Sequence, residues 1–485
     1  MLTLCIAAAV VVSQASDMDA FVQKALKDYH VPGAAVVIVQ DGKTVLLKGY
    51  GVRDTAKQAP VDPNTVFQMA SVSKAFTGTL AGALKDEGKL DFDRPIFNYL
   101  PEFVHYDDYI GRNLTMRDLL AHRSGYPAFG GDTIGQVGFS RAEVLRRLRY
   151  YKPANSLRDR ATYSNIAFFL AGEVEAAVGG GSWDELMASK IFAPLGMRRS
   201  FTTLEALQDS NTSNCYAMVD GKMIEVPHMD HNVLGAAGSV ATTASDIANW
   251  LKMLLAEGRF EGRQVLKPET VKQIFERSMV SERTFAEMPP ISEASGFYYG
   301  LGFGSYDYAN VQVIEKGGAI PGVRTTVVLV PEKHAAIAVF ANLNLTAFPE
   351  AIRAEWLARL LNQGDREANQ KEIMDRNNRL EAMFKMPSPP KNPKPAPFSL
   401  DSLVGTYESE FYGTFEIRKS GDGLVVRAGT STREGVLSHV DGGLFWLKWP
   451  SVTEGPSDTT FAIGADGRAE TMINEVYGVM PRKKA

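Results

Sequence analysis

A serine and a lysine three residues apart, Ser71 and Lys74, are the residues whose types and spacing best fit nucleophilic chemistry. The surrounding segment predicts a loop that runs into a helix, where residues three apart share one face. A serine at the start of a helix also has a free backbone N–H and the positive end of the helix dipole behind it. Acyl transfer requires a base beside the nucleophile and a donor for the developing oxyanion. The pattern is short, however, and most such pairs are surface residues.

Two further segments carry side chains that could complete such a site. Tyr163 and Asn165 lie in a loop before an apolar helix, where a phenol can shuttle a proton and an amide can hold a substrate carbonyl. Lys316, Gly317 and Gly318 follow a short β-rich run, and the glycines let the backbone approach a ligand closely. Each segment also has an ordinary interpretation: a helix cap with a packed tyrosine, and a strand end with a glycine turn.

The order and spacing of the three segments resemble those of the serine β-lactamase and penicillin-binding-protein-like superfamily. In that superfamily S-x-x-K, Y-x-N and K-[TSG]-G line one cleft. The resemblance spans roughly residues 20 to 360 and includes three further segments, Leu114–Gly125, Ile191–Met197 and Ala237–Asp246. They are similar, in that order, to the family's LLTHTSG segment, its PLGM segment and its glycine-serine turn before a helix.

The resemblance implies a serine hydrolase that works in two steps. Ser71 Oγ attacks a carbonyl to form an acyl-enzyme, and water then releases the product. Lys74 or Tyr163 must take the serine proton, although their reference pKa values, about 10.4 and about 10, are too high for a good base at neutral pH. Burial lowers the pKa of a lysine and a neighbouring cation favours a phenolate, so we expect the two to titrate as a coupled pair. The sequence leaves open which of them holds the proton.

The same resemblance implies roles for the residues around the nucleophile. The backbone N–H groups of Ser71 and Ala319 are expected to form the oxyanion hole. Asn165 is expected to bind a substrate amide carbonyl. Lys316 is expected to supply positive charge, which would attract a substrate carboxylate or tune Tyr163.

The third segment departs from the family pattern in ways that bear on the substrate. Many relatives that carry an additional small β-barrel have histidine where Lys316 stands, and lysine is nearer to the β-lactamase and penicillin-binding pattern. Gly317, which is expected to bind substrate together with Gly318, replaces the common Thr or Ser and so removes a hydroxyl that would hold a carboxylate. We therefore expect a peptidase or esterase for small peptide, ester or β-lactam-like substrates, with at most weak β-lactamase activity. Two alternatives stay open: a catalytically silent sensor of peptidoglycan or peptides, and a transpeptidase.

The elements that must position these residues follow from the pattern of apolar residues. Strand-like runs lie near both ends of residues 17–385 and helix-like runs lie between them. This predicts an α/β (α+β) catalytic domain in which helices flank an antiparallel sheet and a helical subdomain is added, as in the superfamily. Residues 386–397 form a proline-rich linker. Residues 398–485 are all-β and resemble the lipocalin-like β-barrel domain of some of these hydrolases, notably an archaeal peptidase.

Composition and charge limit the partners and the location. The net charge of −4 over 485 residues gives no reason to expect nucleic acid as a partner. We predict no cofactor and no metal site, because beyond Asp230 no set of carboxylates or thiols at ligand spacing accompanies His228 and His231. Residues 1–15 predict a secretory signal, and hence a secreted or periplasmic protein, although no positive charge precedes the apolar stretch; the alternative is a buried N-terminal helix. The stretch is too short for a stable membrane span, and the oligomeric state is open.

Overall fold

The structure is a computed structural model that describes residues 16–208, 210–281, 294–383 and 385–483. The predicted signal at residues 1–15 therefore lies outside the described residues. Within those four ranges, no helix is both long enough and apolar enough to cross a membrane.

The chain divides into two units. The first consists of the described parts of Met1–Glu102, Arg112–Ala128 and Ala154–Met383. The second consists of the described parts of Phe103–Gly111, Phe129–Pro153 and Phe384–Ala485.

An antiparallel sheet forms the centre of the first unit. The strands of this unit are β1 (Gly33–Gln40), β2 (Lys43–Asp54), β3 (Ala59–Pro60), β4 (Phe67–Gln68), β5 (Cys215–Val219), β6 (Lys222–Val226), β7 (Ala241–Thr242), β8 (Arg259–Phe260), β9 (Arg263–Gln264), β10 (Met279–Val280), β11 (Ser295–Tyr299), β12 (Gly304–Tyr308), β13 (Val311–Ile320), β14 (Val323–Val330) and β15 (Ala335–Ala341). Among the described residues the large sheet has nine strands in the order β10-β11-β12-β13-β14-β15-β1-β2-β3. Ala34 of β1 pairs with Ala341 of β15, so the two ends of the unit meet in one sheet, as predicted.

Helices cover both faces of the sheet. The α-helices among the described residues of both units are α1 (16–28), α2 (Ser73–Asp86), α3 (Asp108–Asn113), α4 (Met116–Leu120), α5 (Arg141–Arg147), α6 (Asn165–Gly179), α7 (Trp183–Met187), α8 (Gly235–Gly238), α9 (Ala244–Leu255), α10 (Pro268–Phe275), α11 (Phe348–Leu361) and α12 (Arg366–Met383). Residues of α1 and α11 share one apolar cluster with alternate residues of β1 and β15, and α9 also packs on these two strands. Strands β1 and β15 are almost entirely apolar, which is typical of strands whose two faces are both covered.

Helix α2 runs through the interior of the helical part. Its residues from Ser73 to Leu84 are all buried, and α6, α8 and α10 surround it. Gly78 permits this close packing, because a Cβ at that position would lie 2.1 Å from the Leu301 carbonyl oxygen. The helix therefore brings its first turn, with Lys74, into the protein interior.

The second unit contains a nearly closed β-barrel. Its strands are β16 (Gly405–Ser409), β17 (Gly413–Ser420), β18 (Gly423–Ala428), β19 (Glu434–Asp441), β20 (Leu444–Lys448), β21 (Ser457–Ile463), β22 (Ala469–Asn474) and β23 (Gly478–Pro481). Each strand pairs with the next in an antiparallel manner, and a bridge between Tyr407 and Arg482 brings the last strand back to the first. The predicted fold class, a β-lactamase/transpeptidase-like domain followed by a C-terminal barrel, is confirmed.

The segment Phe129–Pro153 packs on this barrel, although it precedes the barrel by more than 200 residues. Tyr151 stacks on Phe411 with ring centroids 4.4 Å apart, and the Arg147 guanidinium donates to the Glu410 carbonyl at 2.7 Å. This grouping was not predicted from the sequence. The predicted boundaries at residues 17, 385 and 398 remain predictions.

Candidate active site

Ser71 lies on a short, strained turn that leads into α2. The turn is a 3-10 helix over Ala70–Val72, and Ala70 has a φ of 49°, in the left-handed region that costs a non-glycine residue free energy. Thr325 of β14 holds the turn, because its hydroxyl donates to the Met69 carbonyl at 2.9 Å. Ser71 itself is half-buried, so it is accessible from solvent.

Lys74 contacts the serine from the buried side. Its side chain is 0% exposed, and its Nζ donates to Ser71 Oγ at 3.1 Å, to Asn165 Oδ1 at 2.6 Å and to the Ala237 carbonyl at 2.8 Å. The two carbonyl oxygens can only accept, so they occupy two of the N–H bonds of the amine. The remaining position on Lys74 Nζ, which carries either a proton or a lone pair, therefore faces the Ser71 hydroxyl.

The second predicted segment reaches the same hydroxyl. Tyr163 is buried, and its hydroxyl donates to Ser71 Oγ at 2.7 Å. Ser164 caps α6 by accepting from Ala167 N at 3.2 Å, which starts the helix at Asn165. Oδ1 of Asn165 accepts from Lys74 Nζ, so the Nδ2 donor lies on the other side of the amide.

The third segment lies within a strand. Lys316, Gly317 and Gly318 are part of β13 because β14 pairs with it as far as Ile320. Tertiary pairing overrides the low strand preference of the two glycines. Gly317 is half-buried and Ala319 is exposed.

Gly318 allows β13 to approach the turn that carries the serine. A Cβ at Gly318 would lie 2.3 Å from the Met69 carbonyl oxygen and 2.4 Å from Thr325 Oγ1. Ala319 follows directly on the same strand. The contribution of its N–H to an oxyanion hole, like the assigned role of each site residue, remains a prediction.

Two ammonium groups flank the tyrosine. Lys316 is 1% exposed, and its Nζ lies 4.9 Å from the centre of the Tyr163 ring. Lys74 Nζ lies 4.8 Å from the same centre. The positive charge on both would stabilise a negative charge that develops on the phenol oxygen or on a bound substrate.

The structure adds two aromatic residues that the sequence analysis had not assigned to the site. His122 is 1% exposed, and its ring stacks on Tyr163 at 4.5 Å. Tyr299 is also buried, lies edge-on to His122 at 4.8 Å, and has Lys316 Nζ 5.5 Å from its ring centre. Burial, Lys316 and Lys74 hold the pKa of His122 well below its usual value. The LLTHTSG-like segment contained His122, but none of the motifs contained Tyr299.

The histidines that the sequence analysis weighed as metal ligands have other surroundings. His228 Nε2 lies 2.9 Å from the Ser213 carbonyl. The ring of His231 lies against Gly238, and burial lowers the pKa of His231 to about 4, with Lys74 acting in the same direction. In the part of the chain that the structure describes, no group of three His, Cys, Asp or Glu side chains could hold a metal ion.

Comparison with known proteins matches residues 18–362 to the family described as beta-lactamase. The chain belongs to the beta-lactamase family. Residues 389–479, which contain the barrel, match a second family described as a domain of unknown function (DUF3471). Membership of the first family confirms the predicted resemblance.

The relatives include named hydrolases. Unguisins hydrolase ungD' of Aspergillus campestris is 28% identical over 339 residues, which cover 67% of this chain and 61% of that protein. Protein flp of Staphylococcus aureus strain MRSA252 is 25% identical and matches 69% of this chain and 64% of its own length. The chain thus spans only about three fifths of the first of these relatives. Family membership and these relatives support the predicted class, a serine hydrolase of this superfamily.

A solved structure shows the same fold over nearly the whole chain. The octameric penicillin-binding protein homologue from Pyrococcus abyssi has a TM-score of 0.63, is 22% identical in sequence, and covers 96% of this chain and 99% of its own. At this identity the likeness concerns the fold alone. It supports the combination of a β-lactamase-type domain with a C-terminal barrel in one chain.

Proposed function

We propose that the protein hydrolyses amide or ester bonds of small peptide-type substrates through an acyl-enzyme on Ser71. The observation that carries this proposal is the position of the Ser71 hydroxyl, 3.1 Å from Lys74 Nζ and 2.7 Å from the Tyr163 hydroxyl, on a residue that solvent can reach. A serine hydroxyl beside an amine and a phenol is placed for activation, because either neighbour can take its proton once deprotonated.

The reaction would proceed in two balanced steps. Ser71 Oγ bonds to the substrate carbonyl carbon while its proton passes to Lys74 or Tyr163, and that proton then goes to the leaving amine or alcohol. Water attacks the resulting ester, gives a proton to the same pair, and releases the acid with Ser71 restored. The backbone N–H groups of Ser71 and Ala319 would hold the oxyanion in both steps.

The substrate preference follows from the donors around the serine. Asn165 presents an amide N–H₂ opposite its bond to Lys74, which suits a substrate amide carbonyl. Lys316 supplies a buried positive charge for a carboxylate, but Gly317 offers no hydroxyl beside it. We therefore propose a peptidase or esterase with at most weak β-lactamase activity, acting outside the cytoplasm.

A labelling experiment tests the nucleophile. A fluorophosphonate or penicillin probe should label the wild-type protein on Ser71 and should fail to label Ser71→Ala. Ser189→Ala, at an exposed serine, serves as the matched control and should label normally. Turnover of the best substrate from a panel of p-nitrophenyl esters, D-amino-acid peptides and a chromogenic cephalosporin should fall by at least about 1000-fold in Ser71→Ala.

The alternatives predict other results. A silent sensor would bind peptides without being labelled, and its binding would survive Ser71→Ala. A transpeptidase would transfer the acyl group to an added amine in preference to water, which product analysis by mass spectrometry detects.

A further inference from the structure

His122 contacts the segment that carries Tyr163 and Asn165 in two ways. Its ring stacks on Tyr163 with centroids 4.5 Å apart and planes 30° apart. Its Nδ1 accepts a hydrogen bond from the backbone N–H of Ser164 at 3.1 Å. Ser164 lies between the two proposed functional residues, so one imidazole holds both of them.

The hydrogen bond also fixes the protonation of the imidazole. A backbone N–H can only donate, so Nδ1 must carry a lone pair, and the single ring proton must lie on Nε2. The basic groups that face the ring are Lys74 and Lys316, while Tyr163, Phe168 and Tyr299 line it. A protonated His122 would lose its acceptor and add a positive charge beside these two lysines.

The backbone of His122 is itself held in an unfavourable conformation. Its φ is 56°, in the left-handed region. Its carbonyl accepts from Thr162 N at 2.7 Å, which ties the residue before Tyr163 to the same loop. Strain that the surroundings maintain next to a reactive group is typical of a functional position.

We propose that neutral His122 is a positioning residue that holds the Tyr163 hydroxyl and the Asn165 amide in register with Ser71. This inference rests on the proposed function, because it assigns His122 a part in the same acyl transfer. His122 acts on the reaction through its contacts with the 163–165 segment.

Two substitutions separate the two contacts. His122→Phe keeps a ring for the stack and removes the acceptor, whereas His122→Asn keeps an oxygen near the Nδ1 position and tolerates a positive φ. We expect His122→Phe to lower kcat by about 10- to 100-fold with KM within about twofold, because displacement of a reacting group by 1 Å has effects of this size. His122→Asn should keep at least about ten times the kcat of His122→Phe.

His105 provides a matched control. It is 4% exposed, and its Nδ1 accepts from the backbone N–H of Asp107 at 2.9 Å, so it is also a buried acceptor, but it lies in the second unit. His105→Phe should lower the melting temperature and leave kcat within about twofold of wild type. Equal losses of kcat in His105→Phe and His122→Phe would show a general folding effect and overturn the inference.

Two further measurements distinguish this inference from the proposed function. In a Tyr163→Phe background, His122→Phe should reduce the labelling rate of Ser71 less than in wild type, because one of the two groups that His122 positions is already removed. Additive losses would overturn the inference while Ser71 labelling upholds the proposed function. Selective ¹⁵N-histidine NMR should show His122 as the Nε2–H tautomer, and a charged or Nδ1–H ring would overturn the inference whether or not the protein hydrolyses anything.

Discussion

At the scale of single residues, the two candidate bases differ in how firmly they are held. Lys74 donates to two carbonyl oxygens, of Asn165 and Ala237, so its amine has a fixed direction toward the serine. The Tyr163 hydroxyl lies at the end of a ring that is fixed by stacking. Lys74 is thus a candidate proton acceptor and also the anchor of Asn165, whereas the Tyr163 hydroxyl can be removed without disturbing its ring.

This difference predicts unequal losses on substitution. We expect Lys74→Met to reduce the acylation of Ser71 by about 1000- to 10,000-fold and to lower the melting temperature, because it leaves two carbonyl oxygens without their donor. Tyr163→Phe should cost about 100-fold and leave the melting temperature nearly unchanged. Stopped-flow labelling and thermal denaturation measure the two effects, and a larger loss in Tyr163→Phe would identify the phenol as the main proton acceptor.

At the scale of elements, the contact between β13 and the serine turn sets the geometry of the site. The strand can lie this close only because Gly318 has no side chain. We expect Gly318→Ala to displace the Met69 carbonyl or the Thr325 hydroxyl, to destabilise the fold by about 1–3 kcal/mol, and to reduce kcat by about tenfold or more.

A glycine of the neighbouring strand controls for the substitution. A Cβ at Gly304 in β12 would meet its nearest atom, the Glu315 carbonyl oxygen, at an ordinary 3.6 Å. Gly304→Ala should therefore keep kcat and stability near the wild-type values. Equal behaviour of the two alanine variants in steady-state kinetics and urea denaturation would refute the role given to Gly318.

Helix α6, which Asn165 begins, carries a buried carboxyl group ten residues later. Glu175 is 0% exposed, and within the described ranges neither carboxyl oxygen has a hydrogen-bond partner. Burial raises the pKa of Glu175 well above its usual value, and the nearby Trp183 indole offsets only part of this effect. The group is therefore protonated in the folded protein at a pH at which it ionises in the unfolded chain.

The difference in the pKa of Glu175 between the folded and the unfolded chain determines how stability changes with pH. Because the folded pKa is raised, the contribution of Glu175 to stability is fully present below the unfolded pKa of about 4.5 and is lost as pH rises toward the folded pKa. Glu175→Gln cannot ionise, so its stability relative to wild type should increase between pH 4.5 and neutral pH. Urea denaturation at pH 4, 6 and 8 measures this trend, and a constant difference between the two proteins would contradict it.

At the scale of the whole molecule, the sequence predicted what depends on side-chain motifs and local patterns. The three motifs named Ser71, Lys74, Tyr163 and Lys316, and the structure brings them together. The sequence could not predict that the Ala237 carbonyl would bind Lys74. Every residue has a backbone carbonyl, and only tertiary folding determines which one lies beside the amine. The extension of β13 beyond Lys316 likewise depends on pairing with β14 rather than on local preference.

For the same reason, the sequence could not predict which segments belong to the second unit. Phe129–Pro153 follows the LLTHTSG-like segment and has the pattern of an ordinary surface loop and helix, yet it packs on the barrel. Phe139 lies against Gly413, where an added Cβ would be 2.7 Å from its ring, and the Thr430 hydroxyl donates to the Gly138 carbonyl at 2.7 Å. A contact across this sequence distance leaves no local pattern.

This packing predicts that the proline-rich linker is a poor place to divide the protein. A chain that ends at residue 385 would lose Phe411 and Gly413, and would expose Phe139 and Tyr151, which they cover. We expect the truncated protein to bind a hydrophobic dye, to self-associate in size-exclusion chromatography and to melt at a lower temperature, because large exposed apolar patches promote association. Phe139→Ser with Tyr151→Ser should reduce the association of the truncated chain and should destabilise the full chain. A truncated protein that is monodisperse and melts like the full chain would show that the segment does not depend on the barrel.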